Sequence, residues 1–202
     1  MLILAFDTAT DSATCALVSD GEALAESVTE PVALLVDVDA ALRRGGVREG
    51  QLDGIAVGTG PGSFTGLRMG LAAARALSFA LDVPVAGIST LDALAAGTPG
   101  ALPLIDARRR EVFTLVDGEP AVLPPGDLAV ERGTVCVGDG AIRYRELLEE
   151  AGAEVPADAD EAHLPRARFH AALASEFGPA ELVEPLYLRV PDAEKALRKV
   201  QE

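Results

Sequence analysis

The chain has 202 residues, of which 49% are hydrophobic and only 4% aromatic, so Val, Leu, Ile and Ala are expected to build its core. The formal net charge of −15 repels phosphate backbones, which argues against stable nucleic-acid binding by this chain alone. Two cysteines, no signal-peptide pattern and no uncharged apolar run of about 18 residues predict a cytoplasmic protein without a membrane span.

Three antiparallel strands are predicted at the start of the chain, over residues 2–6, 14–19 and 22–28. The first strand ends at Asp7. The dipeptide Asp20-Gly21, between the second and third strands, is a strong signal for a type I′ hairpin turn because that turn requires positive φ at both central positions. The chain therefore opens with a meander of three strands.

A first helix is predicted after these strands, with Thr29 as its cap and Pro31 in its first turn. Gly45-Gly46 is expected to end this helix, since glycine readily adopts the conformation that follows a helix. The apolar residues that this helix is expected to bury are Leu34, Leu35, Val38 and Leu42.

The segment Gly58–Arg68 is a glycine-rich elbow between a predicted strand and a long apolar helix over residues 67–81. A phosphate-binding P-loop needs a lysine after its last glycine, and the only lysines are Lys195 and Lys199. The glycine spacing also departs from the dinucleotide-binding fingerprint. Two interpretations stay open: a tight turn that packs closely inside the protein, and exposed amides that face a ligand or another protein.

A further strand over residues 83–88 and a short helix capped by Ser89 complete the first half, and residues 97–100 form the expected lobe boundary. We therefore predict an N-terminal lobe over residues 1–98, a C-terminal lobe over residues 99–189 and a charged tail over residues 190–202.

The second lobe is predicted to contain strands over residues 102–106, 111–116 and 134–137. The dipeptide Asp117-Gly118 is a further turn signal. Helices are expected over residues 142–151 and 165–177. The basic run Arg108-Arg109-Arg110 is short enough to be either a solvated turn or a contact to an anion or an acidic partner.

The long helix is apolar nearly all round, since Arg68, Arg75 and Ser78 are almost its only polar residues. Such a helix must be covered on more than one side. One possibility is complete burial within the monomer, and the other is a protein interface made together with the first helix.

Four motifs together resemble the TsaB (YeaZ) family, whose members are partner proteins in the synthesis of threonylcarbamoyladenosine on transfer RNA. In chain order these motifs are Ile3–Thr10, Gly60–Arg68, Ile105–Arg108 followed by Glu111–Phe113, and Pro185–Arg189. The resemblance covers most of the chain and is poor around residues 121–162.

The resemblance implies an α/β fold with two lobes, of the actin, Hsp70 and sugar-kinase (RNase H-like) type, with mixed sheets flanked by helices. It also implies a non-catalytic subunit that binds and activates the TsaD transferase together with the ATPase TsaE, forms a homodimer when alone, and meets tRNA only through the complex. No cofactor is expected on this chain alone, whereas ATP or ADP with Mg²⁺ is possible at the complex interface.

No catalytic and no metal-binding residue is expected, because His163 and His170 lack the spacing of a helical metal-binding pair and are predicted to be surface residues. The expected partner interface comprises Leu34, Leu35, Val38, Ser63, Phe64, Thr65, Leu67, Arg68, Gly70, Leu71 and Ala74. Asp7, Thr8 and Asp106 are candidates for a vestigial nucleotide or ligand site, although turn capping explains both acids as well.

The alternative is an ATP- and Mg²⁺-dependent phosphotransferase or nucleotidase of the same fold. In that case Asp7 and Asp106 face each other around the metal ion, because each follows a strand at a corresponding place in its lobe.

Overall fold

The computed structural model of the protein describes residues 1–48 and 50–189, so the tail predicted for residues 190–202 lies outside the described part. A five-stranded mixed sheet forms the first half, in the order β3-β2-β1-β4-β5. Its strands are β1 (Leu2–Asp7), β2 (Ala13–Ser19), β3 (Glu22–Thr29), β4 (Gly54–Gly60) and β5 (Val85–Ser89). The strand β2 is antiparallel to both β1 and β3, whereas β1, β4 and β5 are parallel.

The turn between β2 and β3 confirms the hairpin prediction, since Asp20 has φ 50° and Gly21 has φ 87°. The first helix differs in detail. A 3₁₀ turn over Pro31–Ala33 precedes α1 (Leu34–Arg44), and no side chain caps either element. The predicted cap by Thr29 is wrong because its hydroxyl donates to the carboxylate of Asp37 instead. Gly45 follows the last helical residue, as expected.

The long helix α2 (Phe64–Leu81) starts directly after the elbow, and α3 (Thr90–Gly97) follows β5. The predicted cap of α3 is confirmed, because the Ser89 hydroxyl accepts a hydrogen bond from the Asp92 amide at 3.2 Å. This cap and the elbow fix where α3 and α2 leave the carboxyl ends of the parallel strands.

Two smaller sheets form the second half. The short strands β6 (Leu102–Pro103) and β10 (Cys136–Val137) are parallel, while β7 (Ile105–Asp106), β8 (Val112–Val116) and β9 (Glu119–Leu123) form an antiparallel meander. The single strand predicted over residues 102–106 is therefore divided between two sheets. Asp117 and Gly118 both have positive φ and form the predicted turn between β8 and β9.

Three short helices complete the described chain: α4 (Asp139–Arg143), α5 (Arg145–Glu150) and α6 (Ala167–Leu173). The continuous helix predicted over residues 142–151 is broken at Tyr144, whose φ of −111° departs from helical geometry. The helix predicted over residues 165–177 is shorter at both ends, because Pro165 precedes it and Ala174 is extended.

Helices cover both faces of the five-stranded sheet. Leu34 and Val38 of α1 and Leu71 of α2 pack with Leu4 and other sheet residues on one face. The opposite face is covered by α6, whose Ala167 and Ala171 pack on the sheet's small side chains. An element of the second half thus returns to the first sheet, and the division into lobes at residue 98 stays a prediction.

Gly66 supplies a test of how tightly the elbow is packed. A Cβ atom at this position would overlap the carbonyl oxygen of Thr8, which is backbone and cannot move aside easily. We expect Gly66→Ala to lower the free energy of unfolding by about 1–3 kcal/mol, although alanine favours helices over glycine by about 1 kcal/mol.

The matched control is Gly126→Ala, because a Cβ atom there meets open space. We expect this control to change stability by less than about 0.5 kcal/mol in urea unfolding. Equal stability of the two variants would show that close backbone approach does not determine the glycine at position 66.

Candidate functional site

The elbow packs against the turn that follows β1. The Ser63 amide donates to the Ala9 carbonyl oxygen at 2.6 Å, and the Thr8 hydroxyl donates to the Gly66 carbonyl oxygen at 2.7 Å. Gly62 and Gly66 are needed because a Cβ atom at either one would overlap the backbone of Ala9 or Thr8. These glycines therefore serve close packing within the chain, which is the first of the two interpretations left open by the sequence.

Asp7, at the end of β1, lies inside the protein with no exposed surface. One carboxylate oxygen accepts from the Ala9 amide at 2.5 Å. The other accepts from the Thr90 hydroxyl at 2.6 Å and lies 2.7 Å from Nε2 of His170. Asp7 does cap the turn after its strand, through the amide of Ala9 instead of Thr8 or Thr10.

The surface position predicted for the two histidines is wrong, since both are buried. His170 on α6 reaches the Asp7 carboxylate from the face of the sheet that α6 covers. His163 accepts at Nδ1 from the Gly138 amide at 3.1 Å, and its Nε2 lies 3.1 Å from the Pro156 carbonyl oxygen. Little in the sequence indicated that these histidines are buried, because the partner of His170 is distant in the chain and the partners of His163 are backbone atoms.

Burial by itself raises the pKa of the Asp7 carboxyl, because an apolar environment disfavours the charged form. The hydrogen bond and charge of His170, with the hydrogen bonds from Thr90 and Ala9, outweigh that effect and bring the pKa below its ordinary value. Asp7 is therefore an ionised carboxylate whose hydrogen-bonding capacity is used inside the protein.

A cleft of about 450 Å³ lies between the first turn, the elbow, the start of the β7–β8 hairpin and the segment that follows residue 185. Its lining includes Asp11, Phe64, Asp106, Arg108, Asp139 and Tyr187. Asp7 has no exposed surface and lies outside the set of described residues that line the cleft. The cleft consequently presents Asp106, but not Asp7, to a small molecule.

Asp106 is held by cations and by its own turn. Its carboxylate accepts from the Arg108 amide at 3.0 Å and lies 3.2 Å from guanidinium nitrogens of both Arg108 and Arg143. The Arg108 side chain also reaches Asp11 at 3.0 Å across the cleft mouth. Burial raises the pKa of the neighbouring Asp139 carboxyl. Arg108 thus links the two halves by an ion pair that is open to solvent.

Within residues 1–48 and 50–189, no three His, Cys, Asp or Glu side chains are grouped closely enough to hold a metal ion. Cys15 and Cys136 are buried free thiols, and burial raises their pKa values to about 12 and about 11. Among the described helices, none is long and apolar enough to cross a membrane.

The outward surface of α1 and of the turn before it is unusually apolar. Val32, Leu35 and Val36 are 83%, 61% and 71% exposed, and at the far end of α2 Phe79 is 92% exposed. Large apolar side chains grouped at a surface are typical of interaction sites. Leu35 was predicted to be buried and is exposed instead, because it is turned by about 100° around the helix from the buried Leu34.

We name this surface the outward helix face: the exposed residues of Pro31–Ala33, α1 and α2. Of the residues predicted at the partner interface, Leu35, Ser63, Thr65 and Arg68 are exposed and Phe64 is half-buried. The others are buried within the chain, and their place at an interface stays a prediction: Leu34, Val38, Leu67, Gly70, Leu71 and Ala74. Val32, Val36 and Phe79 are exposed apolar residues outside the predicted set, and their apolar character on the polar side of a helical pattern was a usable signal.

An aromatic and basic cluster marks the start of α2. The Arg68 guanidinium lies 3.9 Å from the centre of the Phe64 ring and donates to the Tyr187 hydroxyl at 3.3 Å. The Phe64 and Tyr187 ring centres are 5.2 Å apart. This cluster joins the cleft to the outward helix face.

Solved structures establish the fold class. YeaZ from Pseudomonas aeruginosa superposes with a TM-score of 0.76 at 33% identity, covering 93% of this chain and 99% of that one. Component A of the (R)-2-hydroxyglutaryl-CoA dehydratase of Acidaminococcus fermentans gives a TM-score of 0.54 at 13% identity and covers 86% of this chain and 97% of that one. The second likeness concerns the fold alone.

Sequence relatives agree with the structures. A family model described as TsaD: tRNA N6-adenosine threonylcarbamoyltransferase matches residues 29–133. An uncharacterized protein of Mycobacterium tuberculosis is 39% identical over 203 residues, which cover 95% of this chain and 93% of that protein. The tRNA threonylcarbamoyladenosine biosynthesis protein TsaB of Escherichia coli is 38% identical over 123 residues, 56% of this chain and 53% of its own length.

The mixed sheets flanked by helices and the packed elbow define an α/β protein of the actin, Hsp70 and sugar-kinase fold class. The chain belongs to the TsaB (YeaZ) family. The aligned region spans about half the length of the TsaB relatives, whereas the YeaZ structure is matched over nearly its whole chain.

The Asp7–His170 contact predicts a strong dependence of stability on both partners. His170→Ala leaves a buried carboxylate without its main partner, so we expect the free energy of unfolding at pH 7 to fall by about 3–5 kcal/mol. The pKa of Asp7 is lower in the folded state than its ordinary value of 3.8, so the ionised carboxylate stabilises the folded protein at pH values above 3.8. This stabilisation is lost as the pH falls through the folded-state pKa.

The double variant Asp7→Asn/His170→Ala removes the unpaired charge, and we expect it to lose less stability than the sum of the single variants. The stabilities of Asp7→Asn, His170→Ala and the double variant are measured by urea unfolding at several pH values. Additive losses, or a loss below about 1 kcal/mol for His170→Ala, would contradict the account.

Proposed function

We propose that this chain is a non-catalytic subunit that binds a TsaD-like transferase through the outward helix face and activates threonylcarbamoyl transfer to the adenosine beside the tRNA anticodon. The observation that carries the proposal is the exposed apolar group Val32, Leu35 and Val36, in the turn before α1 and at the start of α1, a helix that shares a core cluster with α2. The TsaB relatives are described as tRNA threonylcarbamoyladenosine biosynthesis proteins, which supports a role for this chain in that synthesis. In a chain with a net charge of −15, contact of such an apolar group with water is unfavourable, and a partner that covers the group removes it from water.

Activation would follow from differential binding. A partner subunit that is held by this chain mainly in its competent conformation is shifted towards that conformation by mass action. The chain's own acids add little chemistry, because Asp7 is enclosed by three hydrogen-bond donors and Asp106 is held by two arginines. Catalytic groups are therefore expected on the transferase.

The remaining partners follow the same division of roles. A TsaE-like ATPase would join the complex. ATP or ADP with Mg²⁺ would bind at an interface with another subunit. The tRNA would be held by the other subunits, because this chain is strongly acidic. In the absence of the transferase, the same apolar face would be covered by a second copy of the chain, giving a homodimer.

Leu35→Asp tests the proposed interface. The side chain is 61% exposed, so the monomer should keep its fold, whereas a carboxylate in a desolvated interface has no compensating charge. We expect the Kd for the transferase subunit to rise at least about 100-fold, measured by isothermal titration calorimetry, while the urea midpoint of the free chain stays unchanged.

Val116→Asp is the matched control, since this side chain is 46% exposed on β8 in the second half. An unchanged Kd of the Leu35→Asp variant for the transferase subunit would contradict the proposed interface. Gly70→Glu is unsuitable for this test because even a Cβ atom at Gly70 would lie 2.5 Å from the Thr8 hydroxyl.

The phosphotransferase alternative makes a separate prediction. It needs Asp7 and Asp106 on one metal ion, yet Asp7 has no exposed surface. We expect the isolated chain to release no phosphate from ATP and Mg²⁺ above the rate without protein. Phosphate release that Asp7→Asn abolishes, in a variant shown to be folded, would favour the alternative over the subunit role.

A further inference from the structure

Residues 178–187, which we name the strap, run alongside α2. At one end Gly178 pairs with Val85, with hydrogen bonds of 2.9 and 3.0 Å between their backbones. At the other end the Leu186 amide donates to the Thr59 carbonyl oxygen at 2.8 Å. The strap is thus anchored to the sheet at both of its ends.

Side chains of α2 hold the strap between these anchors. The Arg75 guanidinium donates to the carbonyl oxygens of Val183 at 2.9 Å and of Ala180 at 3.4 Å. Arg68, two turns earlier on the helix, donates to the Tyr187 hydroxyl. A segment fixed in this way loses little conformational entropy when another molecule covers it.

The strap adds an apolar side chain to the edge of the outward helix face. Leu182 is 76% exposed and lies between the two carbonyl groups that Arg75 binds. Phe79, 92% exposed, follows Arg75 by four residues and so lies on the same side of α2. Leu182 and Phe79 therefore belong to one surface, at the end of α2 away from Val32 and Leu35.

The helices alone are small for a stable interface. Thirteen of their residues are exposed, six in Pro31–Arg44 and seven in α2, compared with the roughly 20–30 residues that each partner contributes to a standard interface. A surface that continues from α1 over α2 to the strap comes closer to that size, and its apolar residues at both ends would be covered together.

We propose that the strap forms part of the transferase-binding surface, with Leu182 and Phe79 as a second apolar contact beside the one centred on Leu35. This inference rests on the proposed function and extends it to a segment of the second half of the chain. The partner proposed to cover the strap is the transferase subunit. The strap lies against α2, so one subunit can contact both without rearrangement of the chain.

Leu182→Ser is the principal test. We expect it to raise the Kd for the TsaD-like transferase by about tenfold or more, since a buried leucine contributes roughly that factor. Leu147→Ser, on α5 and 40% exposed, is the matched control and should leave the Kd unchanged. The urea midpoint and light-scattering mass of each free variant show whether it is folded and whether its homodimer is altered.

The outcomes separate this inference from the proposed function. Loss of affinity in both Leu35→Asp and Leu182→Ser supports both. Loss in Leu35→Asp alone overturns the role of the strap and keeps the helix interface. Normal affinity in both variants overturns both, and an effect of Leu182→Ser only on the homodimer would assign the strap to a second copy and contradict the inference.

Discussion

The carboxylate of Asp7 connects segments that are distant in the chain. It ends β1, receives the Ala9 amide of the following turn, and binds the Thr90 hydroxyl at the start of α3 and the imidazole of His170 on α6. A buried carboxylate is costly unless such partners are all present. The turn after β1, the elbow that packs on it and the return of the last helix to the first sheet therefore depend on one ionised group.

This arrangement separates the inside of the first half from its outside. Inside, the first turn and the elbow are in such close contact that Gly62 and Gly66 have no room for a side chain. Outside, the same helix that begins at the elbow presents Arg68, Phe79 and a row of small residues to solvent. A rigid base beneath an exposed apolar surface favours binding of another protein, because little ordering is needed when the complex forms.

Local signals predicted much of this fold, and contacts between distant residues account for the rest. The Asp20-Gly21 turn and the Ser89 cap are determined by neighbours within a few positions, so sequence patterns indicated them correctly. The burial of His170 depends on a partner 163 residues away, which no local pattern contains. The first two helices were predicted as elements, but not which side of each faces the sheet. That choice depends on the twist and packing of the assembled layers, which placed Leu35 outside and Leu71 inside.

The most direct test of the account is the rate of threonylcarbamoyl transfer to tRNA by a TsaD-like transferase and a TsaE-like ATPase, with and without this chain. The complex should be followed by light scattering in the same mixtures. We expect no transfer by this chain alone, a stable complex with the transferase, and a large increase in rate when the chain is added. An unchanged rate and no complex, at concentrations where all proteins are folded, would contradict the proposal that this chain is an activating subunit.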